Sequence, residues 1–505
     1  MHEHSLRTLL QKYWGYTDFR PKQEAICSAI VEGHDVAVVM PTGGGKSLCY
    51  QLPALALEKT AVVVSPLLSL MQDQVAQLTD RGIPAAALNS SLSFDEQAWV
   101  LRAVRNRQLR LLYVSPERLA REDTWNWLQD LDLSFFAIDE AHCISEWGHE
   151  FRPEYRQLNR LRSTMPNVPI AAFTASATRQ VRRDVLEQLR LNEPRTFISS
   201  FFRPNLNYSV HKCKSTEQNA FLLRILEGQR GESLIIYAPT IARVDEVVTF
   251  LAANGIRALP YHGKMDADQR RDNQRRWMDD EVRVLVGTVA FGMGINKPDV
   301  RAVVHLALPK SIEQYYQEAG RAGRDGEPAD CVLLWRGQDA GLLAHFIEQV
   351  EDYAERQRSW DRYREVRQFA EAPKCRHAQI CLHFGETPKW TSCNACDVCV
   401  GLPDWLNGTP STLKVQLGEK RANAPREAAN PELMDRLRTW RRELAKQRAV
   451  PAYVILNDRS LEDICAKMPE SLVDLEGVFG FGTVKISSLG PDVLKIVDEY
   501  GHAER

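Results

Sequence analysis

Between residues 34 and 310 short apolar runs keep returning, each followed by a polar turn and a longer stretch with helical spacing: DVAVVM, TAVVVS, LRLLYVS, LSFFAID and PIAAFTA, then SLIIYAP, RALPYH, VRVLVGT and RAVVHLAL. This is the pattern of a parallel sheet with crossover helices. The runs fall into two series, with ISSFFRPNLNYSV between them as a joint, so two α/β lobes are expected. Past residue 340 the strand pattern stops. A charged, aromatic, helix-like segment (EDYAERQRSWDRYREVRQF) and a cysteine cluster follow. Residues 401–430, rich in Gly, Pro, Ala, Asn and charge and without periodicity, read as linker. From residue 431, Leu433, Leu437, Trp440 and Leu444 mark one face of a helix that opens a small α-helical domain. The expected units are 1–205 and 206–342 for the lobes, 343–400 for the cysteine module, 401–430 for the linker and 431–505 for the last domain. That division suits 505 residues, a length for two to four cores.

Composition excludes more than it selects. Net charge is −2, so nothing draws the whole chain to nucleic acid or to an anionic membrane, and any such site must be local. Arginine-rich stretches such as LRAVRNRQLR, RQVRRD and QRRDNQRRW read first as solvated helix faces. The N-terminus has no apolar signal core, and runs such as TAVVVSPLLSLMQ are cut by Ser, Pro and Gln before they reach the ~18–20 residues a bilayer needs. A cytoplasmic protein is expected.

The first run leads into MPTGGGKS. A strand that enters a glycine turn and a helix presents backbone N–H groups and a positive helix end to phosphate. Thr42, Gly43, Gly44 and Gly45 form the turn, Lys46 adds charge for the outer phosphates, and Ser47 offers a hydroxyl to Mg²⁺. Met40 stands where the general pattern has its first glycine. LSFFAIDEAH ends a strand on Asp139, placed to hold Mg²⁺, and Glu140, placed to orient or deprotonate the attacking water. Far downstream, QEAGRAGRDG sets Arg321 and Arg324 among glycines, which reads as a mobile loop able to deliver an arginine finger from the second lobe.

Directly after the acids, CISEWGHEFRPEY interleaves Trp147, His149, Phe151, Arg152 and Tyr155, rings that stack on bases beside cations that meet phosphate. Thr174 and Ser176 in TASAT offer hydroxyls that could relay between lobes. In CRHAQICLHFGETPKWTSCNACDVC, Cys393, Cys396 and Cys399 follow at CxxC spacing and want a fourth zinc ligand, for which Cys375, Cys381, His377 and His383 compete. On one helix Cys375 and Cys381 would be roughly 9 Å apart, too far for both to bind one ion.

Taken in order, GYTDFRPKQEAI, MPTGGGKS, SPLLSLMQDQV, DEAHCISEWGHEFRPEY, FTASAT, VGTVAFGMGINKPDVR and QEAGRAGRDG resemble the motifs of a RecQ-family DNA helicase of superfamily two. The resemblance covers residues 6–400 and returns at 431–500. It implies two RecA-like lobes, a helical zinc module and an HRDC-like domain that binds single strands or partners in relatives. It implies that Tyr16 stacks on adenine, Gln23 reads its edge and Arg20 supports the motif. It selects Cys375 as the fourth zinc ligand and leaves Cys381 a buried thiol. It gives the aromatic loop a DNA-sensing role, with ATP, Mg²⁺ and Zn²⁺ as cofactors. The implied partners are single-stranded and branched DNA, and single-strand-binding or repair proteins. A monomer at the bacterial nucleoid, moving 3′-to-5′ in recombination and repair, completes the expectation. An RNA helicase or a duplex translocase is the alternative. A non-enzymatic scaffold is disfavoured because Lys46, Ser47, Asp139, Glu140 and Arg324 are all present. The thirty polar residues of 401–430 leave no room for the winged-helix domain usual in bacterial relatives.

Overall fold

The computed structural model describes residues 3–89, 92–148, 150–289, 297–403, 406, 430–448 and 452–503. His149, nearly all of the expected linker and the glycine-rich FGMGIN stretch lie outside the described residues.

The first sheet has seven strands: β1 (Val36–Val39), β2 (Thr60–Val64), β3 (Ala85–Leu88), β4 (Leu111–Val114), β5 (Leu133–Ile138), β6 (Ile170–Thr174) and β7 (Arg195–Ile198). They lie in the order β3-β4-β2-β5-β6-β1-β7, every pair parallel. Strands β1, β2 and β4 are buried along their whole length because helices cover both faces, which is why they read as continuous apolar runs. The second sheet has six parallel strands: β8 (Leu206–Lys212), β9 (Ser233–Tyr237), β10 (Ala258–Tyr261), β11 (Val284–Gly287), β12 (Val300–His305) and β13 (Ala329–Trp335). Their order is β10-β11-β9-β12-β13-β8.

Four strands, β3, β7, β8 and β13, are not among the apolar runs read from the sequence. Part of the expected joint is strand β8, which pairs with β13 in parallel from Leu206↔Ala329 to Lys212↔Trp335. Its Asn207, Ser209 and His211 interrupt the apolar run and hide the strand. The other edge of β8 is closed by the cysteine module: Tyr208 N–H donates to the Ala395 carbonyl at 3.1 Å. That module, with its helix Tyr353–Glu371, shares one apolar core with the lobes through Phe369, Phe384 and Tyr315. The C-terminal domain has a separate core around Leu433, Leu437, Ile464, Phe481 and Val493. Among the described residues no helix is long and apolar enough to cross a membrane.

Candidate nucleotide and DNA site

In a parallel sheet, chemistry collects beyond the carboxyl ends of the strands, where the loops converge. The register aligns Val39 of β1 with Thr174 of β6, and β6 with the end of β5, so the phosphate loop, Asp139–Glu140 and the TASAT turn meet at one edge. The loop's glycines have distinct reasons. Gly43 and Gly45 take φ of +82° and +84°, and a Cβ on Gly44 would stand 2.5 Å from the Met40 side chain. Met40 therefore fills space under the turn in place of the missing glycine. Helix Lys46–Ala56 starts immediately, putting Lys46 and Ser47 in its first turn.

The motif upstream folds onto this loop. Gln23 is buried, accepts from Arg20 N–H at 2.9 Å, and donates to the Gly44 and Gly45 carbonyls at 3.2 and 3.4 Å. Arg20 donates to the Gly43 carbonyl. Tyr16 is half-buried, against the lobe-one core and Phe479.

Asp139 is buried, and its carboxylate lies 3.5 Å from the Tyr50 hydroxyl, which also bonds to Ser47. Burial, with Glu140 alongside, raises the Asp139 carboxyl to about 7 against the pull of Lys46. A divalent cation between Ser47 and Asp139 fits this donor set, since hard oxygen ligands and a carboxyl short of positive charge are what it requires. Glu140 adopts φ 47°, ψ 45°, a left-handed conformation that turns its side chain away from the strand.

From Glu140 a buried polar chain runs across the molecule. Its carboxylate is 3.3 Å from His142 Nδ1, which is 3.0 Å from the Thr174 hydroxyl. Thr174 in turn bonds Ser176 through its N–H and carbonyl, at 3.3 and 3.1 Å, and the Ser176 hydroxyl accepts from Gln317 of the second lobe at 2.8 Å. Burial opposes protonation of His142, but Cys143, Glu140 and Glu150 outweigh it and raise this group well above the ordinary histidine range. The sequence marks Thr174 and Ser176 as candidate hydroxyls but carries no signal for Gln317, and none for His142 beyond its place in DEAH.

The second lobe closes on the phosphate loop. Arg203 donates to the Thr42 carbonyl at 2.9 Å and to the Gly323 carbonyl at 3.0 Å, tying the loop to the arginine turn, a role the sequence did not signal. A Cβ on Gly43 would meet the Arg324 side chain at 3.3 Å. Arg321 is buried and hydrogen-bonded to Tyr237, whose ring stacks on His305; His305 Nε2 sits 2.8 Å from Glu318. The arginine turn is therefore a packed feature following helix Ile312–Ala319, not the mobile loop its glycines suggest.

The aromatic loop reaches both ways. Trp147 is 50 % exposed and lies under the Arg358 guanidinium of the cysteine module, 5.7 Å from the ring centre. Arg152 donates to the Pro66 carbonyl of SPLLSL at 3.1 Å, Arg156 covers Phe151 at 5.4 Å, and Glu150 approaches His142 at 3.9 Å. This places the loop one residue contact from the polar chain.

The sulfurs of Cys375, Cys393, Cys396 and Cys399 all lie within 4.8 Å of one another. A tetrahedron of 2.3 Å Zn–S bonds has edges of about 3.8 Å, so four thiolates fit one zinc ion. Cys375 caps helix Arg376–His383 and accepts from Ala378 N–H at 3.4 Å. The competing ligands are occupied: His377 by the Arg203 carbonyl at 3.0 Å, and His383 by Glu313 at 2.6 Å. Cys381 is fully buried, which pushes its thiol up to about 12.

Four family descriptions match in order: DEAD/DEAH box helicase at residues 20–184, helicase conserved C-terminal domain at 217–326, RecQ zinc-binding at 337–400 and HRDC domain at 430–497. The ATP-dependent DNA helicase RecQ of Haemophilus influenzae is 33% identical over 98% of this chain and 96% of that protein. The chain belongs to the RecQ helicase family. The RecQ of Pasteurella multocida is 44% identical over 81% of this chain, a region that spans 64% of the relative. Among solved structures, Mss116p bound to ssRNA and AMP-PNP matches with a TM-score of 0.56 at 17% identity, over 76% of this chain and 88% of that one, which shows the fold alone. The Haemophilus alignment runs over 595 positions, so roughly a hundred, the size of one small domain, have no counterpart in this RecQ chain of 505 residues. The family matches leave only 401–429 between the zinc and HRDC regions, which fits a short RecQ without the winged helix.

Proposed function

We propose that this RecQ chain is an ATP-dependent DNA helicase that moves 3′-to-5′ along single strands and opens duplex or branched DNA in recombination and repair. The observation that carries the coupling is the buried chain Glu140–His142–Thr174–Ser176–Gln317, with Glu150 of the aromatic loop at its head. DNA seated on Trp147 and Arg152 shifts Glu150 and hence His142, and the lobes register the shift through Gln317. In the proposed roles, Lys46 and the loop amides bind the outer phosphates, Glu140 orients and deprotonates water, and Arg321 and Arg324 stabilise charge on the transferred group. Ser47 and Asp139 would hold Mg²⁺, which neutralises phosphate charge when bound. Tyr16, Arg20 and Gln23 form the proposed adenine site, and Phe151 and the polar chain's hydroxyls the DNA-coupling set. The proposed units are 1–205, 206–342, 343–400 and 431–505.

Trp147→Ala is the direct test of coupling. It should leave ATPase without DNA near wild type and cut single-strand stimulation by about tenfold, the scale of one lost base stack of 1–3 kcal/mol. Full stimulation in the variant removes the loop from DNA sensing.

The missing winged helix has its own consequence. Everything proposed for hydrolysis and translocation lies before residue 330, so ATPase on single-stranded DNA should be strong. Blunt and long duplexes should open poorly and a 3′ tail should help. ATPase and strand-separation rates on a panel of tailed, blunt, forked and RNA substrates check this. Blunt-end opening as fast as by a relative that carries the domain, or stimulation by RNA alone, contradicts the reading.

A further inference from the structure

The C-terminal domain does not hang free: it touches both lobes, and on lobe one it touches beside the proposed adenine site. On lobe one the approach is backbone to backbone. A Cβ on Gly15 would lie 2.7 Å from the Phe481 carbonyl carbon, and one on Gly482 would lie 2.5 Å from the Lys12 carbonyl oxygen. Gly15 also has φ +69°, so WGY and FGFG are matched at positions where a side chain would part them. Around this seam Thr483 donates to the Lys12 carbonyl at 3.2 Å and Arg448 pairs with Asp80 at 3.1 Å. On lobe two, Ala452 N–H donates to Asp279 at 3.3 Å. Beside it the buried Lys297 ammonium, 2.9 and 3.3 Å from Asp280 and Asp299, gathers Asp458 of the C-terminal domain into one cluster with them, and Arg441 holds Asp458 at 2.7 Å. The acidic cluster is thus already neutralised by Lys297 and Arg441. It works as an ionic seam between domains.

At the end of this seam Phe479 packs on Tyr16, ring centres 5.5 Å apart and tilted 39°, and the Arg459 guanidinium lies 4.1 Å from the centre of the Phe479 ring. Tyr16 also packs on the lobe-one core, so Phe479 sits where a base stacking on this ring would have to compete with it. Gln23, meanwhile, has its amide turned to the phosphate loop. We infer that the C-terminal domain is an internal competitor of adenine nucleotide: docked, it occupies the Tyr16 ring through Phe479 and bridges the lobes, and nucleotide binding at Tyr16 releases it. The inference rests on the proposed adenine site. By linkage the competition is reciprocal, so ATP loosens the docked domain by the same factor by which docking weakens ATP.

The test uses the full chain and the affinity for a fluorescent ATP analogue, which does not depend on turnover. Phe479→Ala should tighten binding about two- to tenfold, the scale of one aromatic contact. Arg448→Glu, which sets like charge against Asp80, should expand the molecule in small-angle scattering and tighten binding similarly. The swap Asp80→Arg with Arg448→Glu should restore both. Weaker binding in Phe479→Ala makes Phe479 a wall of the base site and overturns the competition, as does unchanged affinity in that variant. Expansion by Arg448→Glu without tighter binding overturns it equally. Absence of ATPase in a wild-type chain that binds the analogue counts against the proposed helicase and leaves this comparison intact.

Discussion

Glu140→Gln should lower the ATPase turnover by about 10²- to 10⁴-fold, the range for a lost general base, with affinity for ATP kept within a few fold. The substitution keeps the size of the side chain and a carbonyl oxygen for His142 Nδ1, which Glu140 meets at 3.3 Å, but removes the charge proposed to take a proton from water. The backbone at Glu140 is also left-handed. A left-handed glutamate costs on the order of 1 kcal/mol, and Glu140 is held there by its own N–H, which donates to Asp139 at 3.0 Å. Lys46→Ala makes the contrast: it removes the charge proposed to bind phosphate, which also pulls down the Asp139 carboxyl, so affinity should fall along with turnover. Single-turnover rates and analogue binding separate the two. A Gln variant with more than a tenth of wild-type turnover removes Glu140 from proton transfer.

How much of this was legible follows from where each contact sits in the chain. The phosphate loop and the two acids could be read because strand, turn and first helical turn are contiguous, and their chemistry fixes residue types at fixed offsets. The cysteines could be counted for the same reason, but choosing among Cys375, Cys381, His377 and His383 required knowing who else claims each. The Arg203 carbonyl and Glu313 claim the histidines, and both lie far away in sequence. Arg203 and Gln317 join residues more than a hundred positions apart, and no periodicity reports such a pair. The resemblance gives Gln23 the adenine edge, yet its engagement with Gly44 and Gly45 depends on how helix Gln23–Val31 meets the loop. Strand β8 is hidden by its polar Asn207, Ser209 and His211, and its outer edge is closed by the zinc module, a partner that begins over a hundred residues later.

That closure gives zinc removal a larger expected effect than an appended module would suffer. Structural zinc contributes apparent free energies of about 10–16 kcal/mol in small modules, far beyond the marginal stability of a domain. Here the ligand-bearing segments also hold the lobes. Asp397, two residues from Cys399, takes both nitrogen arms of the buried Arg376 at 2.9 and 3.1 Å and accepts from Val210 N–H of β8 at 3.1 Å. The turn after helix Arg376–His383 reaches lobe one, where Arg182 and Arg179 donate to the Phe384 and Gly385 carbonyls at 3.0 and 2.9 Å. Phe384 stacks on Phe201 at 4.4 Å, and Glu386 accepts from Phe201 N–H at 2.7 Å. Without zinc, four thiols packed this closely have no bond to hold them, and the ends of both segments are freed together. Cys393→Ser should therefore lose zinc, lower the melting temperature by more than ten degrees and expose β8 to amide exchange. Cys381→Ser, a change in a buried thiol outside the cluster, should keep its zinc. Stoichiometric zinc by elemental analysis, melting curves and exchange at Leu206–Lys212 decide it: a Cys393→Ser protein that exchanges β8 no faster than wild type shows that the lobes hold this edge by themselves, and that the metal only ornaments it.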